Sequence, residues 1–153
     1  MKIFLSFLAL TLPMTGAIAS DVALESTVLV ERSEQMPDGT VSMTLEEPAR
    51  VVPGDNLLFV LDYHNEGAEP AENFRVVNPL PDAVAFRDTN DAGAEFSVDG
   101  GEHWGALSAL TITGEDGAVR PATNEDVTHV RWILDRAIPA GGEGRITFRG
   151  TVR

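Results

Sequence analysis

Apolar residues in this chain recur at every second position in short runs, and turns rich in glycine and proline interrupt the runs roughly every 8–12 residues. Val22 to Val30 carries its apolar residues at even positions. Successive side chains leave a strand on opposite faces, so this period marks a half-buried β-strand. Met36-Pro-Asp-Gly39 breaks the run, and Val41, Met43 and Leu45 resume the alternation. Val52-Pro-Gly-Asp55 turns again and launches Leu57, Phe59, Leu61 and Tyr63 on one face, up to an exit at Asn65-Glu-Gly67. Shorter alternating runs follow around Val76, Phe86, Phe96, Ile112, Trp132 and Phe148. A period of 3.6 never lasts the length of a helix, and 14 glycines and 9 prolines would break one. About seven or eight short strands of this kind predict an all-β, antiparallel β-sandwich, in which two sheets bury their apolar faces against each other.

The first residues belong to a different kind of segment. Lys2 precedes an apolar run from Ile3 to Leu12, and Pro13, Gly16 and Ala17-Ile-Ala19 follow. One positive charge, a short apolar stretch and an A-x-A site predict a secretory signal peptide over 1–19, cleaved after Ala19. The run is too short for a membrane anchor, which takes about 20 apolar residues. A single domain over 20–153 remains, with no further apolar run to span a membrane. The expectation is an exported protein of the periplasm or the extracellular space.

Charge and composition exclude several functions. Eleven basic against 24 acidic side chains give a net charge of −13. Such a surface repels phosphate backbones, so no nucleic-acid partner is expected. Without cysteine there is no disulfide framework, thiolate nucleophile or zinc–thiolate cluster. Lys2 is the only lysine, so the chain after Ala19 carries ten arginines and a charge of 10 − 24 = −14. Lysine is the amine of Schiff-base chemistry, and arginine does not replace it there.

Val51-Val-Pro-Gly-Asp-Asn-Leu-Leu-Phe-Val-Leu-Asp-Tyr-His-Asn-Glu-Gly67, followed by Ala71-Glu-Asn-Phe-Arg-Val-Val-Asn-Pro-Leu-Pro81, resembles the bacterial conserved repeat called domain of unknown function eleven. The tail, with Trp132-Ile-Leu-Asp135, Ile138-Pro-Ala-Gly141 and a last alternating strand, is similar to it too. The resemblance runs from about Val51 to Arg153. It implies an immunoglobulin-like sandwich of exported or cell-surface proteins, without enzymatic activity of its own and with an envelope or protein partner that the residues do not identify. This chain departs from the family in having one copy, no sorting signal and a long insertion around Gly114 to Asp126.

Ser97-Val-Asp-Gly-Gly-Glu-His-Trp104 is the most distinctive short motif. It is similar to the Asp-box hairpin of sialidase-like propellers, with His103 where threonine is usual. Ser97 and Asp99 suit bonds to turn amides, and Trp104 suits packing against a sheet. A structural turn is the expectation. The competing class is a small carbohydrate-active or hydrolytic domain using Trp104 and nearby carboxylates. The catalytic signatures are weak: His64, His103 and His129 are widely spaced, no H-E-x-x-H or G-x-S-x-G occurs, and Asp62 and His64 share a solvent-facing strand parity. The acidic pair Glu46-Glu47 follows from composition. No catalytic, cofactor-binding or metal-ligating residue is therefore assigned, and no cofactor.

Calcium is the better chemical alternative. Asp88-Thr-Asn-Asp-Ala-Gly93, with Asp99 eleven positions after Asp88, partly fits the calcium-loop spacing. Ala92 stands at the fifth position and aspartate at the twelfth, so two ligand requirements fail or weaken. An acidic turn-rich loop is preferred over a weak calcium site. The expected function is that of a non-enzymatic binding or structural module.

Overall fold

Wherever alternation ran, strands form. The computed structural model describes residues 21–153, so the expected signal peptide lies outside the described residues. The strands are β1 (Val22–Gln35), β2 (Val41–Glu46), β3 (Asn56–Asn65), β4 (Arg75–Pro79), β5 (Val84–Thr89), β6 (Ala94–Ser97), β7 (Thr111–Thr113), β8 (Val119–Pro121), β9 (His129–Ile133) and β10 (Glu143–Val152). Two 3-10 turns, Leu107–Ala109 and Asn124–Asp126, complete the elements, and the described residues contain no α-helix. The expected seven or eight strands correspond to the eight that build two sheets, ordered β2-β1-β3-β10-β5 and β4-β9-β6. The segment around Gly114 forms the separate hairpin β7-β8. Every ladder is antiparallel.

Register brings the apolar parities together. Val28 and Val30 of β1 lie opposite Phe59 and Leu57 of β3, and Phe59 and Leu61 lie opposite Phe148 and Ile146 of β10. The Phe59 and Phe148 rings stack with centroids 4.5 Å apart. The small sheet answers with Val76, Trp132 and Ala94 in one cross-strand row and Val130 and Phe96 in the next. Trp132 reaches across to within 5.7 Å of the Phe148 ring. These residues form one buried cluster between the sheets, a sandwich-like arrangement. Each fully buried aliphatic or aromatic side chain contributes about 1.5–3 kcal/mol of transfer free energy.

Strand β2 departs from expectation. Its register sets Val41, Met43 and Leu45 beside Gln35, Ser33 and Glu31, on the face opposite Val30. On the core parity, this half of β1 carries Arg32 and Glu34, so no core exists there to receive apolar side chains. All three apolar residues of β2 are exposed, at 67%, 66% and 53%.

Strand order departs as well. Leaving β2 and the β7-β8 hairpin aside and numbering the other seven strands along the chain, the sheets run 1-2-7-4 and 3-6-5. The immunoglobulin arrangement is 1-2-5-4 and 3-6-7. The last strand has exchanged places with the fifth. Strand length explains the exchange: β10 matches β3 in its ten residues and pairs with it from Glu143 opposite His64 to Thr151 opposite Asn56, whereas β6 has four residues and fits the small sheet.

Two of the quoted motifs act as clamps. Gly54 takes φ +92°, the left-handed backbone a type II turn requires, and Asp55 N–H closes the turn on Val52 O at 3.0 Å. Gly54 N–H donates to Val152 O (2.8 Å), and Val152 N–H donates to Asp55 O (2.9 Å). The turn is thereby tied to the last strand. Asn65 does the same at the other end of β3. Its side chain is buried; Nδ2 donates to Glu69 O (2.8 Å), Ile138 O (2.9 Å) and Pro139 O (3.2 Å), and Oδ1 accepts Gly67 N–H (3.0 Å).

Candidate functional site

The Ser97–Trp104 turn gathers the densest polar chemistry, at the end of β6 on the outer side of the small sheet. Ser97 closes β6 fully buried. Its Oγ donates to Asp99 Oδ1 (2.7 Å) and accepts Gly101 N–H (2.9 Å). Asp99 Oδ1 also accepts the N–H groups of Glu102 (3.1 Å) and His103 (3.0 Å). Asp99 Oδ2 lies 2.7 Å from His103 Nδ1. Gly101 holds φ +94°, which a side chain would strain, and its carbonyl accepts the Trp104 indole N–H at 2.8 Å. Thr128, just before β9, seals the turn from the other side, donating from Oγ1 to Ser97 O and accepting Gly100 N–H, both at 3.1 Å.

Trp104 then lies against β9. The Arg131 guanidinium sits 4.5 Å from the centroid of its ring, a cation–π contact, while Arg131 Nε donates to Glu95 Oε2 at 2.6 Å. The His129 ring meets Trp104 edge-on at 6.2 Å. One indole face is therefore occupied and its N–H is bonded. A sugar stacking on this ring has half the platform that a free tryptophan offers.

The electrostatics follow from these bonds. The Asp99 carboxyl is held well below the usual carboxylate range, first by the His103 backbone N–H, then by the Ser97 hydroxyl and the His103 ring. His103 is raised above the ordinary imidazole value, first by its hydrogen bond to Asp99 and then by that carboxylate's charge. A raised imidazole contributes stability that is complete below its unfolded value of about 6.5 and is lost as pH rises through the folded value. The depressed Asp99 contributes in the opposite sense, present above about pH 4 and lost as pH falls through its folded value. Titrated by NMR, His103 should show a midpoint above about 6.5 that Asp99→Asn moves back toward 6.5. A wild-type midpoint at or below that value would contradict the paired geometry.

Among the described residues, Asp99, Glu102 and His103 are the group whose ligand atoms lie close enough for a shared ion, all within 4.8 Å of one another and all exposed. The acidic loop considered for calcium does not converge. Asp88 pairs with Arg149 at 3.3 Å and with Arg87 at 3.5 Å. Asp91 accepts Thr147 N–H at 2.8 Å on β10, and Asp99 is committed to its own turn.

The histidines stay apart too. His64 is exposed at the end of β3, His103 on the Asp99 turn and His129 at the start of β9. Asp62, on the solvent-facing parity as expected, is gripped by Arg145 through two bonds of 2.7 and 3.0 Å. The bond to Arg145 lowers its pKa. Sequence spacing gave no sign of this pair, since Asp62 and Arg145 meet only through the β3–β10 register. An open groove of about 690 Å³ lies here, lined by Leu24, Tyr63, His64, Glu143 and Arg145 among others. A second, of about 460 Å³, shares Tyr63 and Glu143. Neither contains Asp99, His103 or Trp104. No helix among the described residues is long and apolar enough to cross a membrane.

Fold and turn together define an acidic, all-β, antiparallel sandwich-like protein. Comparison with models of known families, with curated proteins and with solved structures returns no match.

Proposed function

We propose that the chain is an exported, non-enzymatic binding or structural module of the cell envelope or extracellular space. It is an immunoglobulin-like domain in the broad sense of two facing sheets, with the fifth and seventh strands exchanged, and a relative of domain of unknown function eleven. One observation carries this: the polar residues of its most distinctive motifs are spent on backbone. The Asp55 carboxylate accepts Val52 N–H in its own turn, Asn65 ties β3 to the β9–β10 loop, and Ser97 and Asp99 bond the amides of their own turn. Buried polar groups satisfied in this way hold a scaffold in one geometry. The Arg131 guanidinium on Trp104 likewise favours a packing role for that ring over a carbohydrate subsite. The export half of the proposal is tested by mass spectrometry of protein recovered from periplasm or medium. The N-terminus should be Ser20 or Asp21, and recovery of an intact Met1 there would overturn it.

A further inference from the structure

The β2 edge of the five-stranded sheet suits a second copy of the same chain, and we infer that the protein self-associates by antiparallel pairing of β2 with β2. Strand β2 is one of the two terminal strands of its sheet, β5 being the other, and no described strand pairs with its outer edge. An uncovered edge is ordinarily blunted by lysine, by proline or by inward charge. Such residues stand only at the far end, with Glu46 opposite Val30 and Pro48 just beyond; residues 40–45, Thr-Val-Ser-Met-Thr-Leu, contain none of them.

The direction of its backbone groups follows from the hairpin. Met36 N–H donates to Thr40 O at 2.8 Å, in the same register that pairs Gln35 with Val41. Hydrogen-bonded and non-bonded pairs alternate along an antiparallel ladder. Thr40, Ser42 and Thr44 therefore direct their backbone groups to β1, and Val41, Met43 and Leu45 direct theirs outward. The same three residues carry the exposed apolar stripe. Backbone donors and apolar side chains are thus offered together.

The self-complementary order of the edge residues selects the partner, and charge selects the register. The described residues carry 10 − 24 = −14, so two copies repel over most of their surfaces, and the uncharged residues 40–45 are where they meet at least cost. Pairing centred on Met43 places Met43 opposite Met43 and Val41 opposite Leu45 of the second copy. Glu46 then faces Thr40, Glu47 faces Gly39, and Asp38 faces Pro48. No like charges oppose each other. A slip of two residues one way sets Asp38 against Glu46, and two the other way sets Val41 against Glu47. A slip of one residue turns outward backbone groups toward inward ones. In the centred register both stripes lie on one face of a single continuous sheet, where apolar cross-strand pairs stabilise it.

The absence of cysteine makes the test direct. In the centred register the two Met43 Cα atoms lie about 5.5 Å apart, inside the roughly 4.4–6.8 Å span of a disulfide. The two Val41 Cα atoms lie about 14 Å apart along the strands. Met43→Cys should form a covalent dimer under mild oxidation, and Val41→Cys should not. Sedimentation equilibrium of the wild type should show a monomer–dimer equilibrium that strengthens with added salt, as screening removes the repulsion of two acidic copies. Met43→Lys sets like charges opposite each other and should weaken the dimer at least about tenfold. Its far-UV circular dichroism should stay unchanged, because Met43 is 66% exposed in the single chain. A wild type that stays monomeric at all concentrations and salts would overturn the inference, leaving the edge to a different chain. Equal crosslinking of both cysteine variants, or a dimer that survives Met43→Lys, would overturn it too.

Discussion

Trp132→Ala is expected to lower the unfolding free energy by about 3–5 kcal/mol, measured by urea denaturation at neutral pH. The indole is 1% exposed and spans the space between the sheets, among Val76, Val130 and Phe148. Truncation to a methyl group leaves a void that close-packed neighbours fill only in part. A loss below about 1 kcal/mol would mean that Trp132 is not the inter-sheet filler described above. The indole N–H is buried with no partner, and an unpaired buried donor costs about 1–3 kcal/mol. Trp132→Phe removes that donor together with part of the volume. It should therefore cost distinctly less than alanine, about 1–2 kcal/mol. The exposed ion pairs rank far below either change, at about 0–1 kcal/mol each. Arg149 with the nearly buried Glu31 carboxylate, 2.7 Å apart, is the pair least open to solvent.

Trp132 was legible in the sequence because it sits on an unbroken apolar parity, and the same holds for Phe59, Leu61 and Phe148. Period-2 patterning reports which face of a strand is apolar. It does not report which strand lies beside which. The exchange of β6 and β10 between the sheets is fixed by matched strand length and by contacts far apart in the chain, and no local signal encodes either. Val41, Met43 and Leu45 show the limit within a single strand. Their alternation is as clear as that of β3, yet the register with β1 turns them outward. The turn chemistry at Gly54 and in Ser97–Trp104 was legible, since backbone demands are local. Asp62 with Arg145 and Trp104 with Arg131 were not, since each pair exists only once distant strands are in register. The partners of the Asp88–Asp99 carboxylates were hidden for the same reason: Asp88 and Asp91 bond Arg149 and Thr147 on β10, and Asp99 bonds within its own turn.

Asn65→Ala should be the most damaging single change to a polar group, at about 2–4 kcal/mol. One side chain links the exit of β3 to the loop between β9 and β10, where Ile138 O and Pro139 O accept from it. Two backbone bonds run beside it: Asn65 N–H donates to Gly142 O at 2.8 Å, and Gly141 N–H donates to Asn65 O at 2.9 Å. Alanine leaves the backbone bonds in place, among them Ala71 N–H to Ile138 O and Gly142 N–H to Pro139 O, but removes the side-chain tie to those carbonyls and takes their partner from Glu69 O and Gly67 N–H, in a site where Asn65 itself is 2% exposed. Asn65→Asp separates hydrogen bonding from shape. The new side chain fills the same volume, but when ionised it points an oxygen at carbonyl oxygens and donates nothing. Repulsion and burial raise its folded-state pKa above the unfolded value of about 3.9. A group raised in this way favours folding below the unfolded value and loses that contribution as pH rises through the folded one. The deficit of Asn65→Asp relative to wild type should therefore grow from about pH 4 to pH 7, whereas that of Asn65→Ala should stay nearly constant. Equal, pH-independent losses in the two variants would show that Asn65 fills space rather than donating to these carbonyls.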